Sequence, residues 1–233
     1  QIHTLILGTH PSVTSLGENE YFAHPSNSFW WIVGDCLGFR RMEGKKKQNR
    51  QKGTQSETGY LKLCDDLMYD ESHIIPYNEQ VKRLCSRGFA LWDIVASCRR
   101  KGSLDSNIQK GEVPNDIRGF VTQHPTIRTI AIANGASGSK FFNRHFGDWW
   151  DSGQLIAHPL EWIGPSPSSE TTISSRDSDT RIGPKITVIM AKSPSPACAM
   201  YSYKEKRDWW KQHVFLPGLA MHESNQMMQL ASV

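Results

Sequence analysis

Four short apolar runs, separated by polar or helix-patterned chain, constrain this sequence more than any other feature. They are Thr4–Leu7, Phe89–Val95, Thr129–Ala133 and Lys185–Ala191. Each is too short for a buried helix and is rich in aliphatic or aromatic residues, as expected of strands buried inside a parallel sheet. Between them, Phe29, Trp30, Ile32, Val33 and Leu37 recur at helical spacing, with Asn27 or Ser28 as the candidate cap. Helices are also expected over Tyr77–Arg87, Ile117–Gln123, 137–146 and Tyr203–Phe215, the last closed by Pro217 and Gly218. Alternating strands and helices predict an α/β fold: a three-layer α/β/α sandwich around a mainly parallel, four-stranded central sheet. A chain of 233 residues is long enough to form it as a single domain, 1–233. Insertions are expected at about 40–75 and 164–184, the first Lys-, Gln- and Gly-rich where it begins, the second dominated by Ser, Thr, Pro and Gly.

Composition narrows the class. Hydrophobic residues make up 38% and charged residues 21% of the chain. That is too apolar for wholesale disorder and too polar for a membrane bundle. No stretch of 18 consecutive apolar residues occurs, so no membrane partner is expected. The start, Gln1-Ile2-His3-Thr4, lacks the charged region of a signal peptide and reads as chain entering a strand. The formal charge of +4 is uneven. Arg40, Arg41, Lys45, Lys46, Lys47, Arg50 and Lys52, against Glu43 alone, carry the whole excess, so the basic pI reflects one insertion rather than a basic face. Cysteines at 36, 64, 85, 98 and 198 form no C-x-x-C pair. They read as reduced thiols in an intracellular protein, with no metal or iron–sulfur cluster expected.

In open parallel sheets, sites lie beyond the carboxyl ends of the strands. That rule directs attention to Gly8–Pro11, to Asp93 and the residues after it, to Asn134-Gly135, to Ser193–Ala197 and to the loop carrying Asn27. A Gly-x-x-Pro turn after a strand points backbone N–H groups outward, where they can hold an electron-rich ligand atom. An aromatic ring at Phe22 and an amide at Asn27 could then frame a planar ligand and a water.

The turn Gly8-Thr9-His10-Pro11, followed by Tyr21-Phe22-Ala23-His24-Pro25-Ser26-Asn27-Ser28-Phe29-Trp30, resembles the first motif of the uracil-DNA glycosylase superfamily. The nearest branches are the mismatch-specific uracil/thymine glycosylases and the hypoxanthine-DNA glycosylases. Leu91-Trp92-Asp93-Ile94-Val95 with Cys98–Ile108 is similar to the central stretch of the second branch, and Ser193-Pro194-Ser195-Pro196-Ala197 resembles its second motif. The resemblance implies a monofunctional DNA glycosylase that flips out a deaminated or mispaired base, whether uracil, hypoxanthine or mismatched thymine. Water would then cut the N-glycosidic bond and leave an abasic site. It implies no cofactor, a monomer acting on damaged DNA, and a nuclear location in a eukaryote or a cytoplasmic one otherwise. The implied catalytic residue is Asn27, which would orient the attacking water. Gly8 and Thr9, with the backbone near His10, would stabilise the departing base, Phe22 would stack on it, and Asn134 would read its edge. Lys192, Ser193, Ser195, Arg99 and Arg100 would meet DNA phosphates. Two positions depart from the pattern. His10 stands where many members carry the water-binding Asp or Asn, and is either a second polar catalyst or a position read through its backbone. Pro194 replaces a threonine. These departures keep open a second reading, a DNA-binding module that retains the fold without turnover.

Overall fold

The computed structural model describes residues 1–41, 66–157 and 184–230. Lys45, Lys46, Lys47, Arg50, Lys52 and Cys64, and almost all of the expected Ser/Thr/Pro/Gly loop, lie outside the described residues. In chain order the elements are β1 (Thr4–Gly8), α1 (Val13–Glu18), α2 (Phe29–Leu37), β2 (Arg40–Arg41), β3 (Ile74–Ile75), α3 (Tyr77–Ser86), β4 (Phe89–Asp93), β5 (Val95–Ser97), β6 (Val113–Pro114), α4 (Ile117–Gln123), β7 (Thr129–Ile132), α5 (Gly135–Asp151), β8 (Leu155–Ala157), β9 (Ile186–Met190), α6 (Tyr203–Trp210) and α7 (Leu216–Leu230). They fall into two compact units. One holds Gln1–His10 and Leu91–Ala191, the other Pro11–Ala90 and Lys192–Val233.

The first unit is built on a sheet of order β4-β1-β7-β9-β8. Strand β1 pairs parallel with β7, β7 with β9, and β9 with β8. The α/β class and the mainly parallel sheet are therefore as expected, but the sheet has five strands among the described residues, not four. The additional strand, Leu155–Ala157, is only three residues long and stands next to Gly153, too brief to register as an apolar run. The interior strand β1 is buried along its whole length, consistent with its largely aliphatic sequence. The run Phe89–Val95 is not one buried strand. It pairs at the sheet edge as far as Asp93, where three of its five residues stay half-exposed, and Val95–Ser97 then leaves to form an antiparallel ribbon with β6. Helix α5 runs on past 146 to Asp151, through a non-helical Phe146.

In the second unit, α2 buries every residue from Phe29 to Asp35 and ends at Gly38, whose positive φ of 82° suits a residue without a side chain. The chain between Pro11 and Ser28 contains α1, capped by the Ser12 hydroxyl accepting from the Ser15 N–H. Arg40 and Arg41 belong to no solvated insertion: they form β2 against β3 and are buried. Pro217 and Gly218 do not close the C-terminal helix. A π-turn over Lys211–Phe215 precedes them, and α7 then continues to Leu230. A proline cannot donate to the carbonyl four residues back, and a wider turn there relieves the clash of its ring.

Candidate active site

In the first unit the ends of β1, β4 and β7 assemble a polar cluster. The chain after β4 is fastened beside the end of β1: the Ile94 N–H donates to the Gly8 carbonyl and the Val95 N–H to that of Thr9, both at 2.9 Å. Thr9 is fully buried. His10 Nδ1 lies 3.1 Å from the Val95 carbonyl. A carbonyl only accepts, so Nδ1 carries the proton, and in the neutral ring Nε2 is the acceptor. Asn134 follows β7 and opens α5. Its side-chain N–H groups donate to Thr9 Oγ1 at 3.0 Å and to Asp105 Oδ2 at 3.2 Å. The carboxylate beside it fixes which way the amide faces: both donors are engaged, and Oδ1 is the atom left to meet a ligand. Gly138 permits this approach, since a Cβ there would meet Ile132 Cγ2 at 2.7 Å and Thr9 Oγ1 at 3.5 Å.

Asp105 also accepts from Ser137 Oγ at 3.1 Å and faces the Arg100 guanidinium at 3.5 Å. The Arg100 side chain is only 5% exposed. It braces this cluster and does not offer itself to a phosphate, in contrast to the expectation. Arg99 is exposed. Asp93, the last residue of β4, is 6% exposed, and no side-chain hydrogen bond to its carboxyl is made among the described residues. Burial, and secondarily the Asp105 carboxylate, push it up to about 7, with Arg100 opposing them. A strand-end acid that titrates near neutrality is a recurrent mark of function. Among the described residues no group of three His, Cys, Asp or Glu side chains could hold a metal ion.

In the second unit, the Tyr21–Ser28 segment is held by its backbone. The Arg41 guanidinium donates to the carbonyls of Phe22, Ala23 and His24. The Tyr21 N–H donates to the Tyr77 hydroxyl at 2.9 Å, and the Ala23 N–H to Ser15 Oγ at 3.2 Å. This clamp maintains Phe22 at a φ of 52°, a left-handed conformation that a bulky side chain rarely adopts. The Phe22 ring stacks on Phe29 with centroids 4.2 Å apart. Asn27 is half-buried, and its Oδ1 accepts from the Phe29 N–H at 2.9 Å, so Asn27 and not Ser28 caps α2. Ser28 instead sends both its N–H and its hydroxyl to the Pro194 carbonyl, at 2.9 and 3.0 Å.

That carbonyl belongs to the Ser193–Ala197 turn. Ser193 Oγ accepts from the Ser195 N–H, and Ser195 Oγ from the Ala197 N–H. Beneath the turn, buried Lys206 donates to the carbonyls of Ser195 and Cys198. Lys192 Nζ sits 4.0 Å over the Tyr201 ring. Of the sequence-expected residues, then, Gly8, Thr9, His10 and Asn134 lie together in the first unit, while Phe22, Asn27, Lys192, Ser193 and Ser195 lie in the second. The sequence places Asp93 at the rim without giving it a role, and it singles out none of Asp105, Arg41 and Lys206 as a site residue. Asp93 announces itself only by ending a strand, Arg41 was submerged in a basic run, and nothing in the sequence marks Lys206.

The chain is similar to known proteins in both fold and sequence. No family profile matches the chain. At the level of fold, the chain aligns with the solution NMR structure of a Methanosarcina acetivorans protein provisionally assigned as a uracil DNA glycosylase. The TM-score is 0.52 at 20% identity, over 94% of this chain and 91% of that one. At the level of sequence, it is similar to the hypoxanthine DNA glycosylase of Methanosarcina acetivorans, 28% identical over 137 residues, and to that of Methanosarcina barkeri, 22% identical over 134 residues. These stretches cover 59% and 58% of this chain, and 66% and 65% of the relatives, just under two thirds of their length. The expected resemblance to the uracil-DNA glycosylase superfamily, on its hypoxanthine branch, is borne out. No described helix is long and apolar enough to cross a membrane.

Proposed function

We propose that this protein is a monofunctional DNA glycosylase that removes a deaminated or mispaired base and leaves an abasic site. The observation that carries the reading is the fixed amide of Asn134 at the end of β7, held by Thr9 and Asp105. An acceptor presented there suits a base whose pairing edge carries a ring N–H. Deamination creates that feature: the ring nitrogen of cytosine or adenine that holds a lone pair becomes an N–H in uracil or hypoxanthine. A site built to pair a donor rejects an analogue lacking it more strongly than an apolar pocket rejects one missing methyl.

In this reading the flipped nucleotide is cleaved by water. Backbone donors around Thr9 and His10 stabilise the charge that gathers on the departing base. Phe22 offers a ring for stacking, its strained backbone set in advance by Arg41. Asn27 orients the water. Its Oδ1 has a second lone pair beyond the one given to Phe29, and its Nδ2 can donate. Lys192, Ser193, Ser195 and Arg99 are the phosphate contacts, without Arg100. Lysine attack is disfavoured: the Lys206 ammonium is spent on two carbonyls, and Lys192 lies against an aromatic face.

One observation favours a second reading, a DNA-binding module without turnover: Asn27 already does the work of a helix cap. The deciding experiment uses duplexes carrying uracil, hypoxanthine or mismatched thymine, with protein in excess. The expected product is an intact strand that breaks only after alkali. A covalent adduct trapped by borohydride would overturn the monofunctional chemistry, and binding without any alkali-labile site would favour the module.

A further inference from the structure

Asp93 is the buried acid to which the reading above gives no task. Its surroundings are specific. The residues that follow it, Ile94 and Val95, are fastened by their N–H groups to Gly8 and Thr9, and its own carbonyl accepts from Asn115 Nδ2 at 2.8 Å. The backbone of Asp93 is therefore fixed beside the turn that begins the first motif. The residue is 6% exposed, and the charged groups acting on its carboxyl are Asp105 and Arg100, the pair that braces Asn134. The neighbouring strand β1 contributes only Thr4, Leu5, Ile6, Leu7 and Gly8. His10, hydrogen-bonded to Val95, is the other titratable group at this strand end.

Buried carboxylates in folded proteins are paired or hydrogen-bonded. Asp93 has a second carboxylate for a neighbour and no side-chain hydrogen bond among the described residues. The form such a place tolerates is the neutral acid, which has a proton to give and nothing in the described fold to give it to. We propose that Asp93 is a further catalytic residue of the glycosylase reaction, the general acid that delivers its proton to the departing base. The inference rests on the glycosylase reading. The steps balance. The C1′–N bond breaks with its electron pair passing to the base. The Asp93 O–H bond breaks, and its proton moves to a basic ring nitrogen or carbonyl oxygen of that base. Water bonds to C1′, and the proton it sheds passes through solvent to restore the Asp93 carboxylate to the acid. One water is consumed, and a neutral base and an abasic sugar are formed.

Asp93 titrates near pH 7, so the acid form fades above neutrality. Single-turnover excision of hypoxanthine from duplex DNA should fall as pH rises from 7 to 9, approaching tenfold per unit at the alkaline end. Asp93→Asn, which can donate a hydrogen bond but no proton, should be slowed about tenfold or more at pH 6.5 and should lose the alkaline fall. His10→Gln should keep the fall. A carbon-13 NMR titration of the Asp93 carboxyl in the unmutated protein reads the same group without relying on a variant that folds, and its midpoint should lie near neutrality. Base release with an unaltered alkaline fall in Asp93→Asn, or a midpoint in the ordinary carboxylate range, would overturn the role of Asp93 alone. No base release by the unmutated protein at any pH would overturn the glycosylase reading and this inference with it.

Discussion

Two buried aspartates, one in each unit, are treated in opposite ways. Asp35, in α2, is 5% exposed and fully engaged. It accepts from the Met68 N–H at 2.9 Å and the Tyr203 hydroxyl at 2.8 Å, and it faces Arg207 at 3.3 Å. Asp93, equally buried at 6%, feels the Asp105 carboxylate, opposed by Arg100, and its carboxyl accepts no such hydrogen bonds among the described residues. The first arrangement ties a helix to its neighbours and leaves nothing over. The second retains a group whose charge state is unsettled at physiological pH, which a purely structural position gains nothing by keeping. Burial alone therefore does not separate a structural acid from a functional one; the partners do.

Stability and rate distinguish the two aspartates separately. Asp35→Ala would leave the buried Tyr203 hydroxyl without its acceptor and take one of three acceptors from the Arg207 guanidinium, which keeps Asp208 and the Asp66 carbonyl. Leaving a buried donor unsatisfied costs about 1–3 kcal/mol, so denaturant unfolding should show a loss of that size, with Asp35→Asn milder. Excision per folded molecule should be unchanged. A fall in rate without a fall in stability would assign Asp35 to the chemistry and dissolve the contrast.

Asn27→Ala should do the reverse. Loss of the cap costs about 1 kcal/mol, whereas misplacing the attacking water should slow single-turnover excision at least about a hundredfold. DNA binding should change little, because water positioning acts on the transition state. Near-full excision by this variant would remove Asn27 from the mechanism.

A third test follows from the raised titration of Asp93. Between the ordinary carboxylate range and about 7, the folded protein holds a proton on Asp93 that the unfolded chain has lost. Stability contributed by this group therefore falls as pH rises through that window, by up to about 1.4 kcal/mol per pH unit, and is level above it. Asp93→Asn should abolish this slope, making the variant the more stable protein at pH 8 and roughly equal to the unmutated one near pH 4. Parallel stability profiles would show that Asp93 has a partner.

The smallest effect is expected at Lys192. Lys192→Ala should weaken DNA binding alike for all sequences and reduce the salt dependence of log K by about one. An unchanged slope would mean that its contact with Tyr201 is its whole role.

How much of this was legible in the sequence follows from how local each signal is. The boundaries of α2 and α4 were read correctly because a helical apolar stripe is a property of consecutive residues. Strand β8 was missed because its three residues become a strand only through pairing with β9. The end of the C-terminal helix was misplaced because Pro217 breaks a regular helix, and only the preceding π-turn makes it tolerable. Within the candidate site, the residues that motif resemblance marks, from Gly8 to Asn134, could be named from the chain alone. Their supports could not. Arg41 reads as one of seven cations in a basic run, yet it sets the backbone of Phe22. Arg100 reads as a phosphate contact, yet it turns inward to Asp105. Which way a charged side chain points depends on partners distant in sequence, and no local pattern encodes that.

Free base in solution is the signature of a broken base–sugar bond. The direct measurement is chromatographic detection of free base released from a duplex carrying a single hypoxanthine or uracil, under single-turnover conditions, with the unmutated protein and Asn27→Ala side by side. Stoichiometric release of the deaminated base is expected from the unmutated protein, with no release from a matched adenine or cytosine duplex and release slowed at least about a hundredfold in the variant. Tight DNA binding with no free base from either lesion would contradict the glycosylase reading.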